Sequence, residues 1–520
     1  MKLNYKRTIL VGFAFFLISA FWQAYDATIP VILTNKFGMS QTWSGVIMAL
    51  DNILAVFMLP IFGALSDKCQ GKKSGKRTPF ITVGTIIAAV ALVCLSFVDN
   101  AQLKQISDVS AIDDPAALSV IYDQQADTEL HTPDGTPFTL RELFPEKEEF
   151  TAITSKISLT SGEEITNPDY TNYVAPARQA CAAAATAANS TNLILFVVLL
   201  LAVLIAMATF RSPAVALMPD VTIKPLRSKA NAVINLMGTA GGIIVLVLGI
   251  VFKTSSVQNS MMNYTLYYGV VAALMLGALG IFRLTVREKK WAAQMRETSK
   301  KFCIEDDEPK NTGEKRRLSW AERRSLLLIL ASIALWYIGY NAITSKYSLY
   351  AGRVLDMDYN TTLLLAQAAA IVSYLPAGIV ASKIGRKKTI LSGVVILASA
   401  FGIASFMRAG SSVLLMNVLF CLAGIGWATI NVNSFPMVVE MCSGADIGKY
   451  TGYYYTASMA AQIVTPVLSG ALMDMTDSMT ILFPYAAFFV ALAFMTMFFV
   501  RHGDAKPEAK KGLEALDNDD

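Results

Sequence analysis

Long apolar stretches separated by short polar joints dominate the chain. Ten stretches of at least 19 residues carry no charged side chain: 79–98, 179–210, 230–252, 254–282, 325–345, 359–382, 389–407, 409–439, 450–473 and 478–500. A helix needs about 20 mostly apolar residues to cross ~30 Å of hydrocarbon, so each predicts a membrane-spanning helix. The second is Ala-rich and polar at its start, which places its membrane part at 192–210. Two further stretches, 8–34 and 37–66, are each interrupted by one carboxylate, Asp26 and Asp51. The total is twelve spans. The first opens like a signal peptide, with Lys2, Lys6 and Arg7 before an apolar run. That run is too long for a signal-peptide core and reads as a retained helix.

Composition agrees with this pattern. Hydrophobic residues make up 54% and charged residues 16%, against roughly 45–50% and about 25% in a soluble domain. These values exclude a disordered chain, a collagen-like fibre and an ordinary soluble enzyme. Six Cys without paired spacing and only two His exclude a disulfide scaffold and argue against a zinc site. No Gly-rich phosphate loop is present, so ATP-driven transport is unsupported. No nucleophile, base and metal are arranged for catalysis, and no cofactor is expected beyond a coupling ion, H+ or Na+.

Charge sets the expected orientation. With both termini in the cytoplasm, 33 of the 44 basic residues fall on the cytoplasmic side, 13 of them between Arg283 and Arg324, as positive-inside placement requires. A multi-pass protein of the plasma membrane is expected (the inner membrane in a bacterium), as a monomer. The basic joint alternates with acids and lies against a bilayer, which excludes a nucleic-acid partner.

The chain divides into 1–98 with spans one to three, a polar loop at 99–190, 191–286 with spans four to six, a linker at 287–324, 325–501 with spans seven to twelve, and a tail at 502–520. The loop carries 15 Asp or Glu against 5 Lys or Arg. It is either a tolerated insertion or a lid or capture surface. An internal repeat relates the two sets of six spans. Gly63-Ala64-Leu65-Ser66-Asp67 followed by Gly75-Lys76-Arg77 is echoed by Gly378 to Lys383 followed by Gly385-Arg386-Lys387, with an offset of 315 from Gly63 to Gly378. Arg211 and Asp220 are echoed by Asn431 and Glu440 with an offset of 220. The drop of 95 nearly equals the 92 residues of the polar loop, so the two matches agree once the loop is removed.

These repeated Gly-x-x-x-Asp and Gly-Lys-Arg elements in a 6+6 pattern resemble the major facilitator superfamily. That resemblance implies an all-α membrane fold of two pseudo-symmetric six-helix bundles with a solute site at the midplane. Pro60 to Asp67, then Gly75 to Ile81, is similar to the sucrose/proton symporter and glycoside–cation symporter branch, as is the segment from Arg211 to Asp220. The implied function is secondary transport of a sugar, a glycoside or oligosaccharide. Other readings are a carrier of drugs, peptides or organic anions, and a non-transporting membrane sensor.

Asp26 is the sharpest candidate residue. An intramembrane carboxylate costs about 2.5–3.5 kcal/mol on insertion scales, so it faces a bundle interior or a watery cavity. Helical spacing puts Ser19, Trp22, Gln23 and Asp26 on one face. An aromatic plate beside an amide and an acid suits the apolar face and hydroxyl rim of a sugar. Asp51, followed by Asn52, is the second acid, for a proton, Na+ or substrate. Arg211 either pairs with one of these acids or reaches toward the headgroups. The second half contributes Trp336, Tyr337, Tyr340 and Asn341, then Trp427 and Asn431, then Tyr454 and Gln462. Its spans show no charge, so coupling is expected in the first half. Gly63, Asp67, Gly75 and Arg77, with Asp220, Gly385, Arg386 and Glu440, are expected to form a cytoplasmic gate that makes and breaks contacts as the halves rock.

Overall fold

The computed structural model describes residues 3–69, 75–158, 164–223, 226–301, 319–439, 441 and 447–502. The first half opens with α1 (Tyr5–Asn35), α2 (Gln41–Lys68) and α3 (Thr78–Gln105). An insertion follows, with α4 (Ser107–Ser110), α5 (Pro115–Gln125), α6 (Leu140–Leu143), α7 (Lys147–Thr151) and α8 (Ala175–Ala188). It also holds two short antiparallel hairpins, Leu130–His131 with Pro137–Phe138 and Lys156–Ser158 with Glu164–Thr166. The half closes with α9 (Thr191–Val221), α10 (Arg227–Phe252) and α11 (Thr265–Thr285), and a polar linker helix α12 (Glu288–Lys301) follows. The second half is α13 (Trp320–Tyr350), α14 (Tyr359–Ile384), α15 (Arg386–Ala404), α16 (Val413–Val439), α17 (Ile447–Met475) and α18 (Leu482–Phe498). Eleven helices among the described residues are long and apolar enough to cross a membrane. α14, 26 residues long and uncharged before Lys383, stands in the remaining place.

The helix starts follow from local chemistry. Ser40 caps α2, its hydroxyl accepting the Trp43 N–H. Ser319 and Glu322 form a reciprocal capping box on α13,. Gly75 and Gly385 take φ of +103° and +94° just before α3 and α15. Both turns need a residue without Cβ, which gives the repeated glycines a backbone reason.

Two helices run beyond their charge-free stretches. α3 continues to Gln105 because Asp99 is wholly buried and paired: Lys36 Nζ donates to its two oxygens at 2.7 and 2.6 Å. α13 continues to Tyr350 and encloses Lys346, also fully buried. The expectation that the second half holds no buried charge is therefore corrected. Lys346 follows the last residue of the charge-free stretch and is absorbed by oxygen acceptors from the other half.

Each half has its own buried core. One joins Phe16, Phe21, Leu92, Phe210 and Met275, and the other joins Ile333, Leu397, Phe420, Phe483 and Val490. The insertion has a third, around Leu118, Ile121, Leu140, Phe150 and Val174. The halves meet mainly where α2 packs on α17, α10 on α14 and α1 on α13. Gly45 and Gly470 make the first crossing possible: a Cβ at either would lie 2.0 Å from the Pro466 carbonyl oxygen or 2.2 Å from that of Gln41.

Polar contacts between the halves crowd the face that carries the insertion. Asp474 accepts the N–H groups of Gln41 and Thr42 at 2.9 and 2.7 Å. Lys346 Nζ donates to the Gln41 carbonyl at 2.6 Å. Arg353 donates to Asn35, Ser255 to Asp358 and Asn360 to Thr254. The insertion joins this seam, its Pro133 carbonyl accepting the Met479 N–H at 2.9 Å. In this structure the insertion face is closed.

Candidate functional site

Beneath that closed face, α1, α2 and α9 of one half meet α13 and α17 of the other around a cavity of about 180 Å³. The first half contributes Trp22, Asp26, Met48, Asp51, Asn52 and Arg211. The second contributes Asn341, Thr344, Ser345, Gln462 and Pro466. The two interrupted spans thus bring their carboxylates to one space. Asp51 accepts from Asn52 Nδ2 at 2.7 Å. The Asp26 carboxyl has no hydrogen-bond or ion-pair partner among the described residues. A carboxylate closed off from water is costly unless neutralised, so closing this cavity over the two half-buried acids calls for a proton, a cation or a donor-rich solute.

Of the two placements open to Arg211, pairing with an acid or reaching toward the headgroups, no ion pair with either acid is present among the described residues. Its guanidinium carbon lies 5.6 Å from the centre of the Trp22 ring, a cation–π distance, and it lines the cavity. Two further donors are exceptional. Trp22 Nε1 and Asn341 Nδ2 are buried without an acceptor among the described residues, although buried polar atoms are nearly always satisfied. The cavity therefore offers acceptors on two acids, unspent donors on an indole and an amide, and a fixed positive charge.

The other sequence candidates divide. Gln23 accepts from Gln367 Nε2 at 2.6 Å, bridging α1 and α14 outside the cavity lining. Trp336 is wholly buried in the second core; its helix turns it away from the face that Asn341 presents. Tyr340 stacks on Trp427 with ring centres 3.7 Å apart and planes at 5°, and Tyr337 meets the edge of the same indole at 5.1 Å. The Tyr337 and Tyr454 hydroxyls lie 3.4 Å apart, and the Asn431 carbonyl accepts from Ser434 Oγ at 3.3 Å. These form an aromatic cluster of the second half, separate from the cavity lining.

Two residues of the expected gate, Arg77 and Asp220, pair with each other within the first half. Arg77 Nε donates to Asp220 at 2.8 Å, and Lys76 lies 3.5 Å from the same oxygen. Arg77 also donates to Ser66. A Cβ on Gly63 would lie 2.9 Å from Ser212 Oγ, a rotatable hydroxyl, and no described residue lies within 4 Å of one on Gly378. Gly385 sets the left-handed turn from which Arg386 opens α15. Glu440 and the Asp67 side chain lie outside the described residues.

Sequence reasoning missed Met48, Thr344, Ser345 and Pro466 in the lining, which carry no pattern of their own. It also missed Glu288, 2% exposed at the start of α12. Its carboxylate accepts the N–H groups of Lys76, Arg77 and Thr78 at 2.7, 2.9 and 2.8 Å, and the Thr78 hydroxyl at 2.6 Å. An acid on a helix N-terminus is favourable, and here it ties the linker to the Gly75 turn.

Two six-helix halves around a central cavity match known proteins over the whole chain. The model of the Major Facilitator Superfamily matches residues 4–107, 177–373 and 359–517. The chain belongs to the Major Facilitator Superfamily. Solved structures with the same fold include the inward-open xylose transporter XylE from E. coli (14% identity, 99% of this chain and 100% of that one, TM-score 0.55). A bacterial homologue of the lysosomal transporter Spinster, inward-facing and occupied, matches at 12% identity over 96% of this chain and 97% of that one, with TM-score 0.58. A peptide transporter, POT, matches at 9% identity over 95% of this chain and 93% of that one, with TM-score 0.56. A curated relative, the MFS-type transporter ppzB of Metarhizium rileyi, is 28% identical over 117 residues, 22% of this chain and 24% of its own length. Most of the insertion, up to the start of α8, falls in the gap between the first two matched segments. The protein is a multi-pass membrane transporter of this superfamily, not an enzyme.

Proposed function

We propose that the protein is a secondary active transporter that moves a small polar solute, a sugar, by alternating access coupled to H+. The observation that carries this reading is the pairing of Asp26 and Asp51 in one cavity between the halves, with no cation within ion-pair distance among the described residues. Trp22 supplies a flat apolar surface with an N–H at its edge, and Asn52, Asn341 and Gln462 supply amides for hydroxyls. The resemblance of Pro60 to Ile81 to sugar symporters points the same way. Protonation removes the penalty for closing the cavity over a bare carboxylate, so the loaded carrier crosses and the half-loaded one does not. Sodium as the coupling ion is the alternative that the same acids allow. By the positive-inside bias the termini face the cytoplasm and the insertion faces outward at the plasma membrane.

Arg211 in the lining, without a carboxylate within 4 Å among the described residues, supports a second reading in which the solute is an organic anion held by the guanidinium. Uptake into vesicles with imposed pH or Na+ gradients separates these cases, using a sugar panel and an anion panel. Asp26→Asn and Asp51→Asn are expected to abolish accumulation while sparing exchange of bound solute. If both variants concentrate solute as the wild type does, the coupling assignment is wrong.

A further inference from the structure

We propose that a second cavity, at the seam of the insertion face, binds a small oxyanion, a carboxylate or phosphate group, between Arg353 and Arg178. Its volume is about 70 Å³. A buried water needs about 10–15 Å³ by the same measure, so a group of acetate or phosphate size fits. Three parts of the molecule build it: Arg178 and Gln179 from the insertion, Asn35 and the turn at Ser255 and Ser256 from the first half, and Arg353 from the second.

None of the lining residues is acidic. Arg353 spends two donors on neutral amides, Gln179 Oε1 at 2.5 Å and Asn35 Oδ1 at 2.6 Å. Arg178 is 2% exposed. It donates to the Tyr170 hydroxyl and the Ala111 carbonyl, and its Nε has no acceptor among the described residues. The acids behind the walls are committed elsewhere. Asp358 accepts from Ser255 Oγ at 2.6 Å and from the N–H groups of Asn360 and Thr361 at 3.0 and 3.2 Å. Asp113 accepts the Ser155 N–H and hydroxyl at 2.5 and 2.7 Å. Arg178, buried, and Arg353, half-buried, therefore line one cavity with no carboxylate among its lining residues, an arrangement that leaves their charge uncompensated. An oxyanion relieves it through the forked hydrogen bonds that guanidinium geometry favours. The walls come together only while the insertion face is closed, so a bound anion stabilises that state over one in which the face opens.

Thermal unfolding of the purified full chain tests this, with inorganic phosphate or acetate replacing chloride at constant ionic strength. The wild type is expected to show a saturable rise in Tm of about 2–4 °C. Arg353→Lys keeps part of that rise and Arg353→Gln loses it. Because removing a seam arginine loosens the fold for other reasons, Ser256→Asp serves as the second variant. By placing an acid in the cavity, it is expected to raise Tm without phosphate and to abolish the response to it. Parallel scans in phosphatidylcholine nanodiscs with and without phosphatidylglycerol distinguish the source: a rise that requires the anionic lipid and is lost in Arg353→Gln assigns the cavity to a headgroup phosphate. No response of the wild type to phosphate, acetate or anionic lipid overturns the proposal, as does an undiminished response in Arg353→Gln.

Discussion

Asp474 holds the closed face at the start of a helix. Gln41 and Thr42 are the first two residues of α2, and amides at a helix start have no partner within the helix. The Asp474 carboxylate, reaching across from α17, takes both of them at 2.9 and 2.7 Å, with its charge favourably aligned to the helix dipole. Asp474→Asn keeps one acceptor oxygen but turns an N–H2 toward the second amide. Hydrogen bonds to charged groups contribute about 1.5–3 kcal/mol. Asp474 is only partly buried, which screens its charge, so about 1–2 kcal/mol of the preference for the closed face is lost. That is a shift of roughly 5- to 30-fold toward a form with the insertion face open. The assay is modification of Thr344→Cys in a background without the six native cysteines, using an impermeant maleimide added on the insertion side. Thr344 lines the central cavity, so its labelling rate follows opening of that face. The variant is expected to label about 5- to 30-fold faster. Equal rates would refute the reasoning that this carboxylate holds the face shut.

Three further outcomes follow from buried groups. Lys36→Met leaves Asp99 buried without its cation and is expected to cost about 3–5 kcal/mol; in thermal unfolding, Lys36→Met with Asp99→Leu recovers most of the loss, and a double variant as damaged as the sum of the singles contradicts the pairing argument. Glu288→Gln removes the charge that four donors share and lowers stability by about 1.5–3 kcal/mol; an unchanged Tm would show that the linker contact contributes nothing. Burial pushes the Cys181 thiol up to about 11, so at pH 8 roughly one thiol in a thousand is ionised. Maleimide labelling of Cys181 in the native protein is therefore expected to be very slow at pH 8 and to rise with pH, and fast labelling at pH 8 would contradict its burial.

The periodic alternation of apolar stretches and charged joints was enough to define the spans, because hydrocarbon thickness imposes a length that any single sequence displays. The same holds for the two-half arrangement, visible once the offset between repeats was corrected for the 99–190 loop. Asp26 and Asp51 also stood out on sequence alone, since a carboxylate within an apolar run has few tolerable environments. Their meeting in one cavity was decided only by the packing of α1 and α2 against α13 and α17. Tertiary structure likewise separated Asn341, which lines that cavity, from Trp336 in the same helix, because helical rotation relative to neighbours has no linear signature. Lys36 with Asp99, Lys346 with Gln41, and Glu288 with the Gly75 turn are contacts across 63 to 305 positions of chain. A buried charge is compatible with its surroundings only through such a partner, and a distant partner becomes visible only when the chain is folded.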